Sequence, residues 1–387
     1  MKITFTNSIR YFVSFVLIIF LYSGLIKWLD FGVDPTLIGL ILVLAVFIFK
    51  IKSKFRFIAK EIKILVTFGV LYSFTSIYTL SDSYYIEKIL YLWLAIFSFI
   101  LPSVIFNKNK DLVIFFKLLK IILVCSILFL LYLLLSGQWS LFILKQDDTL
   151  NIPNYLSIGN FIVVYIIYNF NKVKKTNIIF YISAIIILLL LSGRGPVLGL
   201  IFVWFIYLMR NNKNKFKIVF KVLPVVFILF VILNSLGDSD ELVNTSNRFS
   251  GLLENENNQR IREFTQALTI LGDNLFFGVG IGGYGAATVG LDELWHPHNI
   301  ILEILSESGI FISSIFLFFI FKIFIINTIN IKLNDEGYII SLIALYLFIQ
   351  SMKSGGIPDM RVTFFWLGLM TLCIKKQKIL KSDNYDS

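Results

Sequence analysis

Charge is what this sequence lacks. Only 15% of its 387 residues are Asp, Glu, Lys or Arg, while 57% are hydrophobic. A soluble domain carries roughly 25% charged residues, so this chain cannot cover a water-facing globule. Cysteine is scarce too. Cys125 and Cys373 both fall inside apolar runs, which excludes a disulfide framework. No Cys or His set has zinc-ligand spacing, so neither a metal nor another cofactor is expected. The basic balance, 35 Lys and Arg against 24 Asp and Glu, often points to nucleic acid. Here the cations sit in short connections between apolar runs, with no basic stripe interleaved with aromatics. The partners they indicate are membrane lipids, not nucleic acid.

Long apolar runs are what the sequence has in abundance. A helix needs roughly 20 apolar residues to cross the hydrocarbon core. Candidate spans are Tyr11–Ile26, Pro35–Phe49, Ile62–Leu80, Ile89–Phe106, Phe115–Ser136 and Ile152–Phe170. The remainder are Asn177–Leu191, Pro196–Met209, Ile218–Leu236, Ile300–Ile326, Tyr338–Met352 and Arg361–Ile374. The fold expected is therefore all-α, a single transmembrane bundle of about twelve spans over 1–387. Charge supports the alternation. With the N-terminus inside, the inner connections collect Lys50, Lys52, Lys54 and Arg56, then Lys108 and Lys110, then Lys172, Lys174 and Lys175. Arg210, Lys213, Lys215 and Lys217 follow, and the C-terminal cluster Lys375, Lys376, Lys378 and Lys381 closes the series. Cytoplasmic loops are enriched in Lys and Arg, so both termini are placed in the cytoplasm.

One connection is much longer than the rest. Residues 237–299, between the ninth and tenth spans, form a large outer loop. Within it Ile261, Phe264, Leu268 and Leu271 recur at spacings of three and four, which predicts an amphipathic helix over about Gln259–Leu271. A glycine-rich run, Gly278 to Gly285, comes next, then Trp295-His296-Pro297-His298-Asn299 at the mouth of the tenth span.

Both histidines of the chain, His296 and His298, therefore stand together, beside Asn299 and one helical turn from Glu303. Imidazole titrates nearest neutrality and suits general-base work. An interfacial polar cluster is the plainer reading of a single His; two together favour function. Arg194 is the other anomaly, in the bare hinge Ser192-Gly193-Arg194-Gly195-Pro196 between two apolar runs. A guanidinium near hydrocarbon is costly, so it points to an anion at the membrane face, with snorkelling to headgroups as the alternative. Arg260 and Arg262 lie on the amphipathic helix, where Arg260 shares a face with Glu263. The run Gly280 to Gly285 matches GxGxxG, but no strand precedes it, so a dinucleotide site is excluded; a tight turn or a backbone amide nest for phosphate remain. Asp238-Ser239-Asp240 and Asp147-Asp148 read as solvated turns.

In this order the elements resemble the O-antigen polymerase and ligase superfamily of bacterial inner membranes. They are Ser192-Gly193-Arg194-Gly195, Arg260-Ile261-Arg262-Glu263-Phe264 with Ala267, Gly278 to Gly282, and His296-Pro297-His298-Asn299 with Glu303 and Gly309-Ile310. The resemblance covers roughly Leu191 to Ile310 in motif and the whole chain in topology. Gly193, inserted between Ser192 and Arg194, departs from the family's usual hinge. The resemblance implies an inner-membrane, metal-independent glycosyltransferase of lipopolysaccharide biosynthesis, with its catalytic loop in the periplasm. Its donor would be an undecaprenyl-pyrophosphate-linked oligosaccharide, and a chain-length regulator protein would be a partner. It implies Arg194 and Arg260 on the diphosphate, where arginine's planar fork suits phosphate oxygens, and His298 as the base or as the group that orients the acceptor. Arg262, His296, Asn299, Glu303 and Gly280 would contact substrate, with Glu303 orienting the imidazole.

Polymerase is the first expectation, joining repeat units, and ligase, transferring glycan to a lipid A core, is the alternative. A lipid-linked sugar flippase would carry internal repeats, broken helices or charges buried in mid-span. A sensor or scaffold would have no need of His and Arg gathered at one membrane face.

Overall fold

The structure is a computed structural model. It describes residues 5–25, 34–50, 59–106, 109–136, 155–170, 184–185, 187–188, 194–211, 256–326 and 335–383. In chain order the helices are α1 (Phe5–Leu21), α2 (Pro35–Lys50), α3 (Ala59–Phe74), α4 (Tyr84–Ile105), α5 (Asn109–Leu135) and α6 (Tyr155–Tyr168). They continue with α7 (Arg194–Asn211), α8 (Glu256–Asp273), α9 (Gly283–Val289), α10 (Ile300–Phe321), α11 (Asp335–Ser354) and α12 (Met360–Asp383). No strand occurs among the described residues. Ile218–Leu236, nearly all of Asn177–Leu191, and both acidic motifs lie outside the described residues.

Among the described residues five stretches are long and apolar enough to cross a membrane: Tyr84–Ile105, Lys110–Tyr132, Ile300–Ile325, Glu336–Ser354 and Ile357–Lys376. Several shorter apolar helices accompany them, among them α2 and α6. These bear out an all-helical protein built of membrane-crossing segments.

The chain sorts into two compact units. The first holds Met1–Phe49 and Phe106–Glu254. There α1 packs on α5, joined by an ion pair of Arg10 Nε with Asp111 Oδ1 at 3.1 Å. The second unit, Lys50–Ile105 with Asn255–Ser387, contains the histidines. Its centre is the α4–α12 pair, with α3 laid on α10. Phe68 of α3 meets Phe316 of α10 at 5.2 Å between ring centroids, and Phe99 of α4 meets Phe319 at 5.3 Å. Near the start of α3 buried Glu61 takes Lys322 at 3.4 Å and Lys375 as a second ion-pair partner.

Two departures from the sequence expectation shape the site. First, α4 begins at Tyr84, not Ile89, so Lys88 lies inside a membrane helix and is fully buried. Second, α10 is broken at Gly309, whose φ of 65° and ψ of −178° are non-helical. A side chain there would collide with the Phe276 carbonyl, so only glycine accommodates both the dihedral and the close approach. The break frees backbone groups, and the glycine-rich loop before α9 takes them up. Val279 N donates to Ser306 O (3.0 Å), Gly280 N to Glu307 O (2.8 Å) and Ile310 N to Leu275 O (2.9 Å). Broken helices survive at membrane depth when neighbouring protein satisfies the freed groups in this way.

Candidate functional site

Trp295 to Asn299 forms an extended strap that enters α10. Asn299 has β-region dihedrals, and its side-chain oxygen accepts from Ile301 N (3.0 Å) and Leu302 N (3.1 Å). It is the N-cap of α10, satisfying orphan donors of the first turn. Among the described residues His298 is the one non-glycine with positive φ, at 50°. Such backbone is uncommon outside glycine and is held in place only by its surroundings.

The two imidazoles lie 4.7 Å apart between centroids, at 69°. Both ring nitrogens of His296, Nδ1 of His298 and Nε1 of Trp295 are buried and have no protein partner. Buried polar atoms are normally satisfied, so four open ones along one strap mark a place for a polar ligand. Burial, followed by the nearby His298 and Lys88, lowers the His296 pKa to about 3, against a smaller opposing pull from Glu307. The His296 imidazole is therefore neutral at physiological pH, able to donate from one nitrogen and accept at the other.

Beneath the strap is a buried ionic cluster. Lys88 Nζ lies 2.5 Å from Glu303 Oε1 and 2.7 Å from Glu307 Oε1. Glu303 and Glu307 are four residues apart on α10 and so share a face. Glu303 Oε2 accepts from Ile357 N (3.1 Å) in the turn leading into α12. The preceding Gly356 packs so closely that an added Cβ would lie 3.0 Å from the His296 ring and 3.2 Å from Glu303 Oε2. Glu307 takes the Tyr72 hydroxyl (2.5 Å) and the amides of Gly282 (3.1 Å) and Tyr284 (3.4 Å).

The amide nest expected in the glycine run therefore exists, but the anion it holds is the Glu307 carboxylate. Gly280 N is taken by Glu307 O, and its φ of 83° and contact with Thr79 backbone exclude any side chain. The α3–α4 turn clasps the same loop. Leu80 N donates to Val279 O (3.1 Å), Ile281 N to Thr75 Oγ1 (2.9 Å) and Thr79 Oγ1 to Ile281 O (2.8 Å). Asp292 then caps α4 from a distance, accepting from Ser81 Oγ (2.5 Å), Ser83 N (2.6 Å) and Tyr84 N (3.3 Å). Its pKa is pulled down despite the upward effect of burial, because these bonds favour the carboxylate.

Helix α8 joins through α9. The Tyr284 hydroxyl donates to Glu263 O (3.1 Å), and Ala267 and Ile270 pack with Val279, Tyr284, Trp295 and Leu302. The predicted helix is present, but its apolar stripe does not face the core. Ile261 is 61% and Leu268 55% exposed, while Glu263, Ala267 and Ile270 are buried. The small Ala267 allows close approach, and a hydrogen bond to the backbone fixes the register.

Comparison with known families matches residues 179–317 to the family model described as O-antigen ligase. Over those residues the chain is similar to the O-antigen ligase family. Comparison with curated proteins found no match. The matched segment is about a third of the chain and contains Arg194, Arg260, the imidazoles and both glutamates.

Within the matched segment the structure gathers His296, His298, Asn299, Glu303 and Gly280 around one end of α10. Arg260 is half-buried on α8, on the stripe that includes Glu263 and Ala267, whereas Arg262 is exposed. Arg194 opens α7 in the other unit, and its part in the site rests on the resemblance. Asn299 caps the helix, and Glu303 is engaged by Lys88 and Ile357 N with no hydrogen bond to an imidazole. Lys88, Glu307, Tyr72 and Asp359 escaped the sequence reading. Asp359 is exposed, its Oδ2 accepts from Gly356 N (3.5 Å), and it lies within electrostatic reach of His298 and Arg361. A lone Lys88 in an apolar run, and a second acid four residues after Glu303, were the available signals.

Proposed function

We propose that the chain is a surface-polysaccharide polymerase of bacterial inner membranes. It joins undecaprenyl-pyrophosphate-linked oligosaccharide repeats at the periplasmic face. The observation that carries this reading is the pair of imidazoles with open nitrogens at the mouth of a membrane helix, inside a segment matching the O-antigen ligase family. An acceptor sugar hydroxyl gives its proton to His298, and its oxygen bonds the anomeric carbon of the donor. The bond from that carbon to the diphosphate breaks, and the electron pair leaves on undecaprenyl pyrophosphate. Arg260 and Arg194 hold the departing charge, which their planar guanidinium groups suit. Arg262 extends the anionic contact. Neutral His296 contacts acceptor hydroxyls, and Asn299, Glu303 and Gly280 act one step back, through the cap, the ion pair and the loop. The expected partners are membrane lipids and a chain-length regulator protein.

The ligase reading, transfer of finished glycan to a lipid A core, has the family description in its favour. Deletion of the gene followed by gel analysis of surface glycan separates the two. A core bearing one repeat unit supports polymerase. A bare core with lipid-linked polymer accumulating supports ligase. The broken α10 and the buried Lys88–Glu303–Glu307 charges are features a transporter would also carry, and repeat units trapped on the cytoplasmic side would contradict both readings and indicate transport.

A further inference from the structure

The turn that follows α8 places three bulky apolar residues, Leu275, Phe276 and Phe277, in a row, all exposed, Phe276 by 53% and Phe277 by 64%. In water that row would be an anomaly. Its position is fixed by α10. The Phe276 ring stacks on Phe311 at 5.4 Å and 21°, and the Phe277 ring lies 6.2 Å from Phe311. Phe311 is itself 59% exposed and belongs to a helix long and apolar enough to cross a membrane.

Depth follows from the inner end of the same helix. Lys322, joined to Glu61 at 3.4 Å, marks its polar terminus. Roughly 20 residues cross the hydrocarbon at about 1.5 Å each, which puts the outer edge at about Leu302 and Phe311, nine residues further along, about 13 Å inside it. Phe276, stacked on Phe311, shares that region. The backbone agrees with such a setting, because carbonyls left open in hydrocarbon are costly. Leu275 O accepts from Ile310 N at 2.9 Å, and Phe277 O accepts from the Tyr78 hydroxyl at 2.7 Å. Tyr78 stands just beyond α3.

We infer that Leu275–Phe277 is a wedge immersed in the acyl chains of the outer leaflet, continuing the lipid-facing side of α10 and anchoring the glycine loop and α8 at the bilayer surface. The outer loop is then partly a membrane element, at the boundary where amphipathic segments settle.

The test is nitroxide accessibility. Phe276→Cys is made in the full chain with Cys125 and Cys373 replaced by serine, spin-labelled, and placed in nanodiscs of phosphatidylethanolamine and phosphatidylglycerol. Asp273→Cys, at an exposed position on α8, is the comparison. The wedge predicts that the label at 276 collides severalfold more with oxygen than with an aqueous nickel chelate, and that the label at 273 does the reverse. Phe277→Cys repeats the reading should the first variant assemble poorly. Preferential collision with nickel would place the segment in water, and collision with neither would place it under protein; either result overturns the inference. The readout needs no glycosyl transfer, so it stands or falls apart from the enzymatic reading.

Discussion

Lys88 and Glu307 meet at 2.7 Å inside the protein, and each also holds a different part of the site. Lys88 reaches Glu303, which fixes the Ile357 amide, and the adjoining Gly356 backbone lies against His296. Glu307 gathers the Gly282 and Tyr284 amides, and Tyr284 holds α8 by the Glu263 carbonyl. One buried ammonium thus ties the histidine strap to the arginine-bearing helix. Removing one partner of a buried ion pair leaves uncompensated charge and costs about 3–5 kcal/mol. Lys88→Met should therefore lower the Tm of the purified protein sharply, and Lys88→Arg should recover part of the loss. An unchanged Tm in Lys88→Met would show that the cluster does not hold the site together.

His296 makes a pH prediction. Its folded pKa of about 3 lies below the ordinary 6.5, so the unfolded chain binds the proton more readily. Stability from this group is complete above the unfolded pKa and declines as pH falls from about 6.5 towards 3. Acid unfolding of His296→Gln compared with the parent should show a shallower decline across that window. Parallel curves would mean that His296 does not sit buried and neutral.

Asp292 is a cap supplied from far along the chain. Asp292→Ala should cost about 1 kcal/mol, the usual loss on removing a helix cap. Because its folded pKa is depressed, the contribution holds above the unfolded carboxylate pKa and fades as pH drops through the folded value. Equal stability of Asp292→Ala and parent at neutral pH would contradict the capping.

Gly280 and Gly290 separate dihedral strain from collision. Both have positive φ, but a Cβ at Gly290 meets open space while one at Gly280 strikes Thr79 backbone. Gly290→Ala should cost about 1–2 kcal/mol, the left-handed penalty alone. Gly280→Ala should cost about 1–3 kcal/mol more from overpacking, read as the difference in thermal unfolding between the variants. Equal Tm values would mean that the loop does not clasp the α3–α4 turn.

Hydropathy made the helical membrane architecture legible, because lipid-facing segments advertise themselves residue by residue. It misplaced the start of α4 for the same reason: Lys88 counts as polar in a sequence, and only its two carboxylate partners, more than 200 residues away, make burial tolerable. The histidines were legible through their concentration. The job of Asn299 was not, since a cap and a ligand-binding amide look alike until the helix start is known. On α8 the period was legible, but not the contact, which Ala267 and a backbone carbonyl, neither conspicuous in the sequence, make with the rest of the site.

The most direct measurement uses purified protein in nanodiscs with undecaprenyl-pyrophosphate-linked repeat units as donor and acceptor. The account predicts release of undecaprenyl pyrophosphate together with lengthened lipid-linked glycan, and a fall of about 100- to 10,000-fold in His298→Ala, the range for loss of a general base. Full diphosphate release by His298→Ala, or none from the parent chain, would contradict it.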